Sequence, residues 1–131
     1  MSVMEELKAE LLHMMQAIQY KPTPPTPEDE IIQGVCNALE VDYESLASKN
    51  RSDENVEARF IIFKLLREHT DLSLKSVGAL FNRDHSTVTY GVSEFCDLFE
   101  IKDKLFMRKL EKVAEELPGM AFFNPKRYIR N

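Results

Sequence analysis

The stretch from Ser73 to Phe99 constrains the chain most: two short runs with helical apolar spacing, each opened by a capping side chain, are separated by three polar residues. Ser73 caps a run from Leu74 to Phe81 in which Val77, Leu80 and Phe81 share an inner side. Asn82-Arg83-Asp84 breaks it, and Asp84 caps a second run that carries Val88, Val92 and Phe95 inward and continues toward Phe99. Two short helices joined by a tight turn, the second opened by a polar cluster, have the layout of a helix-turn-helix.

The rest of the chain supplies partners for these helices. Residues 3–19 place Val3, Met4, Leu7, Leu11, Met14, Met15 and Ile18 at intervals of three and four, which predicts an amphipathic helix within residues 1–20. The sequence Lys-Pro-Thr-Pro-Pro-Thr-Pro over 21–27 forbids helix and reads as an extended, semi-rigid spacer; exposed proline runs also serve as ligands for aromatic-lined domains. Thr26 is a fitting N-cap and Pro27 a fitting first residue for the next helix. Glu28, Asp29 and Glu30 follow where the helix dipole favours negative charge, and Ile31, Ile32, Val35, Cys36 and Leu39 make its buried stripe. A short turn is expected over Val41 to Leu46. Ser52 then caps a helix whose apolar members (Val56, Ala58, Phe60, Ile61, Phe63, Leu65 and Leu66) run nearly all round, so it should lie at the centre of the core. A last amphipathic helix is predicted from Lys102 to Leu117, ahead of a tail that mixes Phe122, Phe123 and Tyr128 with Lys126, Arg127 and Arg130. No repeat and no convincing strand is present. The expectation is an all-α helical bundle, with a helix-turn-helix domain over 28–100 and a C-terminal helix and basic aromatic tail over 101–131.

Composition narrows the function. With 131 residues, 44% hydrophobic and 30% charged, the chain has the means for one modest core. It holds no apolar stretch of about 18 residues, and the acidic start (Glu5, Glu6) does not fit a signal peptide, so a cytoplasmic protein without membrane contact is expected. Cys36 and Cys96 are too few and too far apart for a zinc site and read as small apolar groups on buried helix faces. His13, His69 and His85 are accompanied by no metal-spaced cluster, and neither cysteine has an adjacent base, so no metal, cofactor or catalytic residue is assigned.

The net charge of −5 argues against nucleic-acid binding, which draws on basic excess to release counterions from phosphate. The acidity, however, belongs to the front of the chain: residues 1–48 hold 2 basic and 9 acidic side chains, whereas residues 49–131 hold 15 basic and 13 acidic. Any DNA affinity should be modest and salt-sensitive.

In a helix-turn-helix the first turn of the second helix lies against base edges in the major groove. Asp84, His85, Ser86 and Thr87 occupy that turn. Asp84 could accept from a cytosine amino group, while the His85 ring and the Thr87 methyl could meet thymine methyls. Arg83 is placed for a phosphate or a guanine, and Ser73 and Lys75 for a phosphate at the start of the preceding helix. Lys49, Asn50 and Arg51 precede the central helix, where a flexible arginine could enter a narrow minor groove. Each residue also has an ordinary reading: Asp84 with Ser86 and Thr87 is how many helices start, His85 is a common surface residue, and Lys49 and Arg51 suit any solvated loop.

The run A-R-F-I-I-F-K-L-L-R-E-H-T-D-L-S-L-K-S-V-G-A-L-F-N-R-D-H-S-T-V, Ala58 to Val88, favours the DNA reading. It resembles the C-terminal, duplex-binding domain of the bacterial replication initiator DnaA, whose signature runs A-R-x-x-A-x-x-L-x-R-E, then L-S-L-x-x-I-G-x-x-F, then G-G-R-D-H-T-T-V. The likeness extends from about Ile31 to Phe95 and includes Val41 to Leu46. It implies the all-α fold of DnaA domain IV, akin to the Trp repressor, in a DNA-binding protein of bacterial or phage origin. It further implies that Arg51 enters the minor groove, that Arg83, Asp84, His85, Ser86 and Thr87 read the major groove, and that Leu72, Ser73, Leu74 and Lys75 abut phosphates. The chain departs from the pattern at Asn82, which stands alone where the family has two glycines, and at Ser86, which replaces a threonine. Asp53, Glu54 and Glu57 also dilute the basic loop. No G-x-x-x-x-G-K-[ST] run is present to hold nucleotide phosphates, so a stand-alone DnaA-like protein is expected, in replication or transcription control and not an enzyme.

A rival reading keeps the fold but makes it a protein-interaction module with little DNA affinity, docking through its acidic front half and the Met4, Met14, Met15 stripe. The N-terminal helix, ~25 Å long at 1.5 Å per residue, has an apolar stripe able to meet a protein partner, a second copy or its own domain.

Overall fold

The computed structural model describes residues 5–9, 26–49 and 52–120, and every described element is helical. Residues 5–9 form part of α1, with Leu7 exposed. The remainder of the predicted N-terminal helix, the prolines at 22–25, Asn50 and Arg51, and the aromatic and basic tail residues from Phe122 onward lie outside the described residues.

Local capping chemistry starts each helix where the sequence indicates. α2 (Pro27–Leu39) begins with the Thr26 hydroxyl accepting from the Asp29 amide at 3.3 Å and with Pro27 in its first turn. Between Val41 and Leu46, where only a turn is expected, the chain winds into α3 (Tyr43–Ala47); the Asp42 carboxylate accepts from the Ser45 amide at 2.7 Å and nucleates it. A five-residue helix is too short to show a periodic apolar pattern, and its one fully buried side chain, Leu46, carries no phase. α4 (Asp53–His69) is capped by Ser52, and all six residues from Ile61 to Leu66 are buried, as a helix at the centre of a bundle requires.

α5 (Leu74–Leu80) and α6 (His85–Glu100) form the helix-turn-helix, and α7 (Lys104–Glu116) closes the bundle. The last helix begins two residues later than predicted because Lys102 takes a left-handed conformation (φ 53°) and Asp103 is the cap, accepting from the Phe106 amide at 3.0 Å. Glu40, Asn82 and Lys102 end α2, α5 and α6 in the same manner. Each has φ near 55°, and the next amide donates back five residues: Val41 to Cys36, Arg83 to Gly78 and Asp103 to Leu98. None of the three is glycine, so each carries a side chain through a conformation that costs most residues about 1–2 kcal/mol.

One core runs from Ile31 to Leu117. Ile31, Val35, Leu46, Ile61, Ile62, Leu65, Leu66, Val77 and Val88 are fully buried in it, and α7 contributes Phe106, Leu110 and Val113 by packing on α2. Residues 104–117 therefore share the core of 28–100, and residue 101 marks a turn between helices, not a change of core. Aromatic rings link the layers: Phe95 meets Phe106 edge-on at 5.3 Å, and Phe81, beneath the turn, meets Phe63 at 5.6 Å and Tyr43 at 5.4 Å. Cys36 and Cys96 are free and buried. Among the described residues no helix is long and apolar enough to cross a membrane.

Candidate nucleic-acid interface

The turn between α5 and α6 is tight because Gly78 has no side chain. A Cβ at that position would stand 2.4 Å from the Arg83 carbonyl oxygen, and the absence of one lets the Arg83 amide donate to the Gly78 carbonyl at 2.9 Å. Asn82 occupies the left-handed position; its short amide-bearing side chain tolerates that region better than most. The turn delivers Asp84 to the start of α6.

The Asp84 carboxylate accepts from the Thr87 amide at 2.9 Å and from the Thr87 hydroxyl at 3.1 Å. The amide bond, then the hydroxyl bond, hold this carboxyl below the usual carboxylate range. Asp84 is thus an anion that frames the helix start. His85 and Ser86 are the exposed side chains of that turn, and Thr87 is half-buried behind them. At the head of α5 the Ser73 hydroxyl is committed to its own helix, accepting from the Ser76 amide at 3.0 Å and donating to the Ser76 hydroxyl at 2.9 Å. Lys75 beside it is exposed.

Arg83 takes a course that the sequence does not reveal. Its guanidinium turns back onto main-chain carbonyls, donating to Phe81 at 2.6 Å, to Ala47 at 3.4 Å and to Ser48. The Asn82 amide also donates to Ala47, at 3.2 Å. Three of the sequence-predicted contact residues, Lys49, Arg83 and Thr87, line one cleft of about 560 Å³, whose other walls are Val56, Arg59, Phe60, Phe63, Asn82 and Tyr90. Among the described residues no carboxylate lines it.

Arg59 and Tyr90 are cleft residues that sequence reasoning missed. Arg59 is buried and donates to the Leu46 carbonyl at 3.2 Å; burial first, then the neighbouring charge of Arg83, pulls its pKa below the ordinary arginine value. An arginine set directly between Ala58 and Phe60, on the helix expected to be central, was the available signal. Tyr90 is exposed one turn beyond Ser86 and Thr87, its ring edge-on to Phe60 at 6.1 Å. Glu57, counted among the acids that dilute the basic loop, is instead turned to α7, where it pairs with Lys109 at 2.8 Å. Asp53 and Glu54 remain exposed at the start of α4. Among the described residues no group of three histidine, cysteine, aspartate or glutamate side chains could hold a metal ion.

Comparison with known proteins agrees with this geometry. The family model described as the bacterial dnaA protein helix-turn-helix matches residues 28–94. Relatives named chromosomal replication initiator protein DnaA include one from Oleidesulfovibrio alaskensis, 45% identical over 65 residues (50% of this chain and 14% of the relative). Another, from Gloeobacter violaceus, is 34% identical over 95 residues (72% and 21%), and one from Bacteroides thetaiotaomicron is 26% identical over 110 residues (83% and 23%). The chain thus spans less than a quarter of the length of these relatives. The match to more than half of its residues, on a helix-turn-helix with this turn and cap, places the chain in the bacterial DnaA helix-turn-helix family, a family of DNA-binding and not catalytic domains.

Proposed function

We propose that this chain is a sequence-specific reader of double-stranded DNA, in replication or transcription control in the cytoplasm. The observation that carries the reading is the start of α6: exposed His85 and Ser86 stand beside a cleft lined by Lys49, Arg59 and Arg83 and, among the described residues, by no carboxylate. In this reading the first turn of α6 enters the major groove, with His85, Ser86 and the Thr87 methyl against base edges and Asp84 fixing their orientation. Lys75 and Lys49 meet phosphates on either side, and Arg51 serves the minor groove. Residues 28–100 hold the reading elements, 21–27 act as a spacer, and the arm over 1–20 recruits a protein partner or a second copy.

Fluorescence-anisotropy titration against a duplex bearing a DnaA-type box and against a scrambled duplex, at low and moderate salt, tests this. Two phosphate contacts, with the Arg51 cation in the minor groove, give a slope of log K on log salt of about −2 to −3. Preferential, salt-weakened binding to the box supports the reading. Absence of binding to either duplex at low salt would transfer the function to the protein-interaction module, for which the exposed Ile101 and Leu105 at the α6–α7 junction offer an apolar surface.

A further inference from the structure

The end of α3 and the α5–α6 turn lie about 35 residues apart in sequence, yet three side-chain bonds tie them directly together and a fourth joins α3 to the end of α5. α3 is a five-residue helix, so its last carbonyls have no partners within the helix and carry the negative end of its dipole. Asn82 donates to Ala47 at 3.2 Å, and the Arg83 guanidinium donates to Ala47 at 3.4 Å and to Ser48, while also holding Phe81 in its own turn at 2.6 Å. In the opposite direction the Tyr43 hydroxyl donates to the Leu80 carbonyl, at the end of α5. Arg59 adds a bond from α4 to Leu46 at 3.2 Å.

We propose that Asn82 and Arg83 are positioning residues: a clamp on the Ala47 and Ser48 carbonyls that fixes the loop carrying Lys49 at one offset from α6, so that two DNA-contacting elements read as a single rigid body. The inference rests on the DNA-binding reading above and deepens it. Arg83 then acts through the loop and not on bases, because both terminal nitrogens of its guanidinium are committed to main-chain carbonyls, three in all. Asn82 matters for its side chain as well as its backbone: at the position where the resembling pattern carries glycines, this chain has an amide that no glycine can supply. A clamp held by charge-assisted and amide bonds resists small displacements, and a step of one base pair moves the phosphates by about 3.4 Å. A rigid reader therefore rejects DNA whose two contacted regions are one base pair too far apart.

The experiment compares wild type with Asn82→Gly, Arg83→Lys and the Asn82→Gly/Arg83→Gln double variant. Glycine keeps the left-handed backbone without strain, so Asn82→Gly separates clamp from turn. Hydrogen exchange on the free proteins is expected to speed up at least tenfold at the Leu46 and Ser48 amides, which donate to the Asp42 and Ser45 carbonyls, in the double variant, with α2 and α7 unchanged, whatever the DNA affinity. Binding is then measured to the box and to a box lengthened by one base pair between the two contacted regions. Wild type is expected to lose at least tenfold on the lengthened box and the double variant about threefold or less, with Arg83→Lys, which keeps the charge and loses the fork, between them. Unchanged exchange overturns the clamp, as does an equal penalty for lengthening in wild type and double variant. If wild type binds neither duplex, the DNA reading fails, while the exchange measurement still decides the clamp.

Discussion

Replacing Gly78 by alanine tests whether the helix-turn-helix closes as tightly as described. At an unhindered helix position alanine is favoured over glycine by about 1 kcal/mol. Here the added Cβ would lie 2.4 Å from the Arg83 carbonyl oxygen and 3.1 Å from that of Asp84, where ordinary contact begins at 3.4 Å. The obstructing atoms are main chain and cannot rotate away, so the turn has to retreat by about 1 Å, loosening the Arg83-to-Gly78 bond. Overpacking of this kind costs about 1–3 kcal/mol and a weakened buried hydrogen bond about 0.5–1.5 kcal/mol more. Set against the propensity gain, the net loss is about 1–3 kcal/mol. In urea melts with a slope of about 1–3 kcal/mol/M, the midpoint should fall by roughly 1 M. Preference for the box in anisotropy titrations should fall further than stability does, because the displaced residues aim α6. Gly119→Ala is the control: nothing lies within 4 Å of its Cβ, and stability should change by less than about 0.5 kcal/mol. A Gly78→Ala protein as stable as wild type, or more so, with unchanged DNA preference would refute the close approach and the role assigned to the turn.

Three further outcomes are expected. Asp84→Asn keeps an N-cap acceptor but removes a carboxyl whose pKa is lowered by the Thr87 amide and hydroxyl. A lowered folded-state pKa contributes stability above the unfolded value of about 3.9, lost as pH falls through the folded value. The urea midpoint of the variant should therefore decline less steeply below about pH 4 than that of wild type, and parallel curves would deny the linkage. Phe95→Ala removes a fully buried ring that touches Phe99 and Phe106, and should cost about 3–5 kcal/mol in the same melts; a loss under about 1 kcal/mol would mean that the α6–α7 contact is not part of the core. Burial, and secondarily the charge of Asp42, pushes the Cys36 thiol up to about 11, so iodoacetamide at pH 8 should leave it unmodified until denaturant is added; rapid labelling of the native protein at Cys36 would contradict its burial.

The fold was legible wherever its determinants are close along the chain. Thr26, Ser52, Ser73 and Asp84 each cap an amide three residues on, so the sequence marks these helix starts without any knowledge of packing. The apolar spacing likewise identified the inward faces of α2, α5 and α6 and the centrality of α4. Reading failed at the short or locally ambiguous elements. α3 is too brief for a period, and the start of α7 depended on whether Lys102 continued a helix or ended one, a choice made by the left-handed ending of α6.

The candidate site divides along the same line. His85 and Ser86 could be named from sequence because their exposure follows from the cap before them and the helix they open. The destinations of long side chains could not: Arg83 reaches carbonyls 35 and 36 residues away, and Glu57 meets Lys109 across 52 residues. By itself the sequence determined the longer helices, the caps of α2, α4, α5 and α6, the tight turn and the family. Only the tertiary structure decided that Arg83 holds the α3–α4 loop, that Arg59 and Tyr90 enter the cleft, and that α7 completes the core. Capping and periodicity are interactions over three or four residues, whereas a charged side chain goes to whichever unsatisfied carbonyl or carboxylate the packed helices bring within reach.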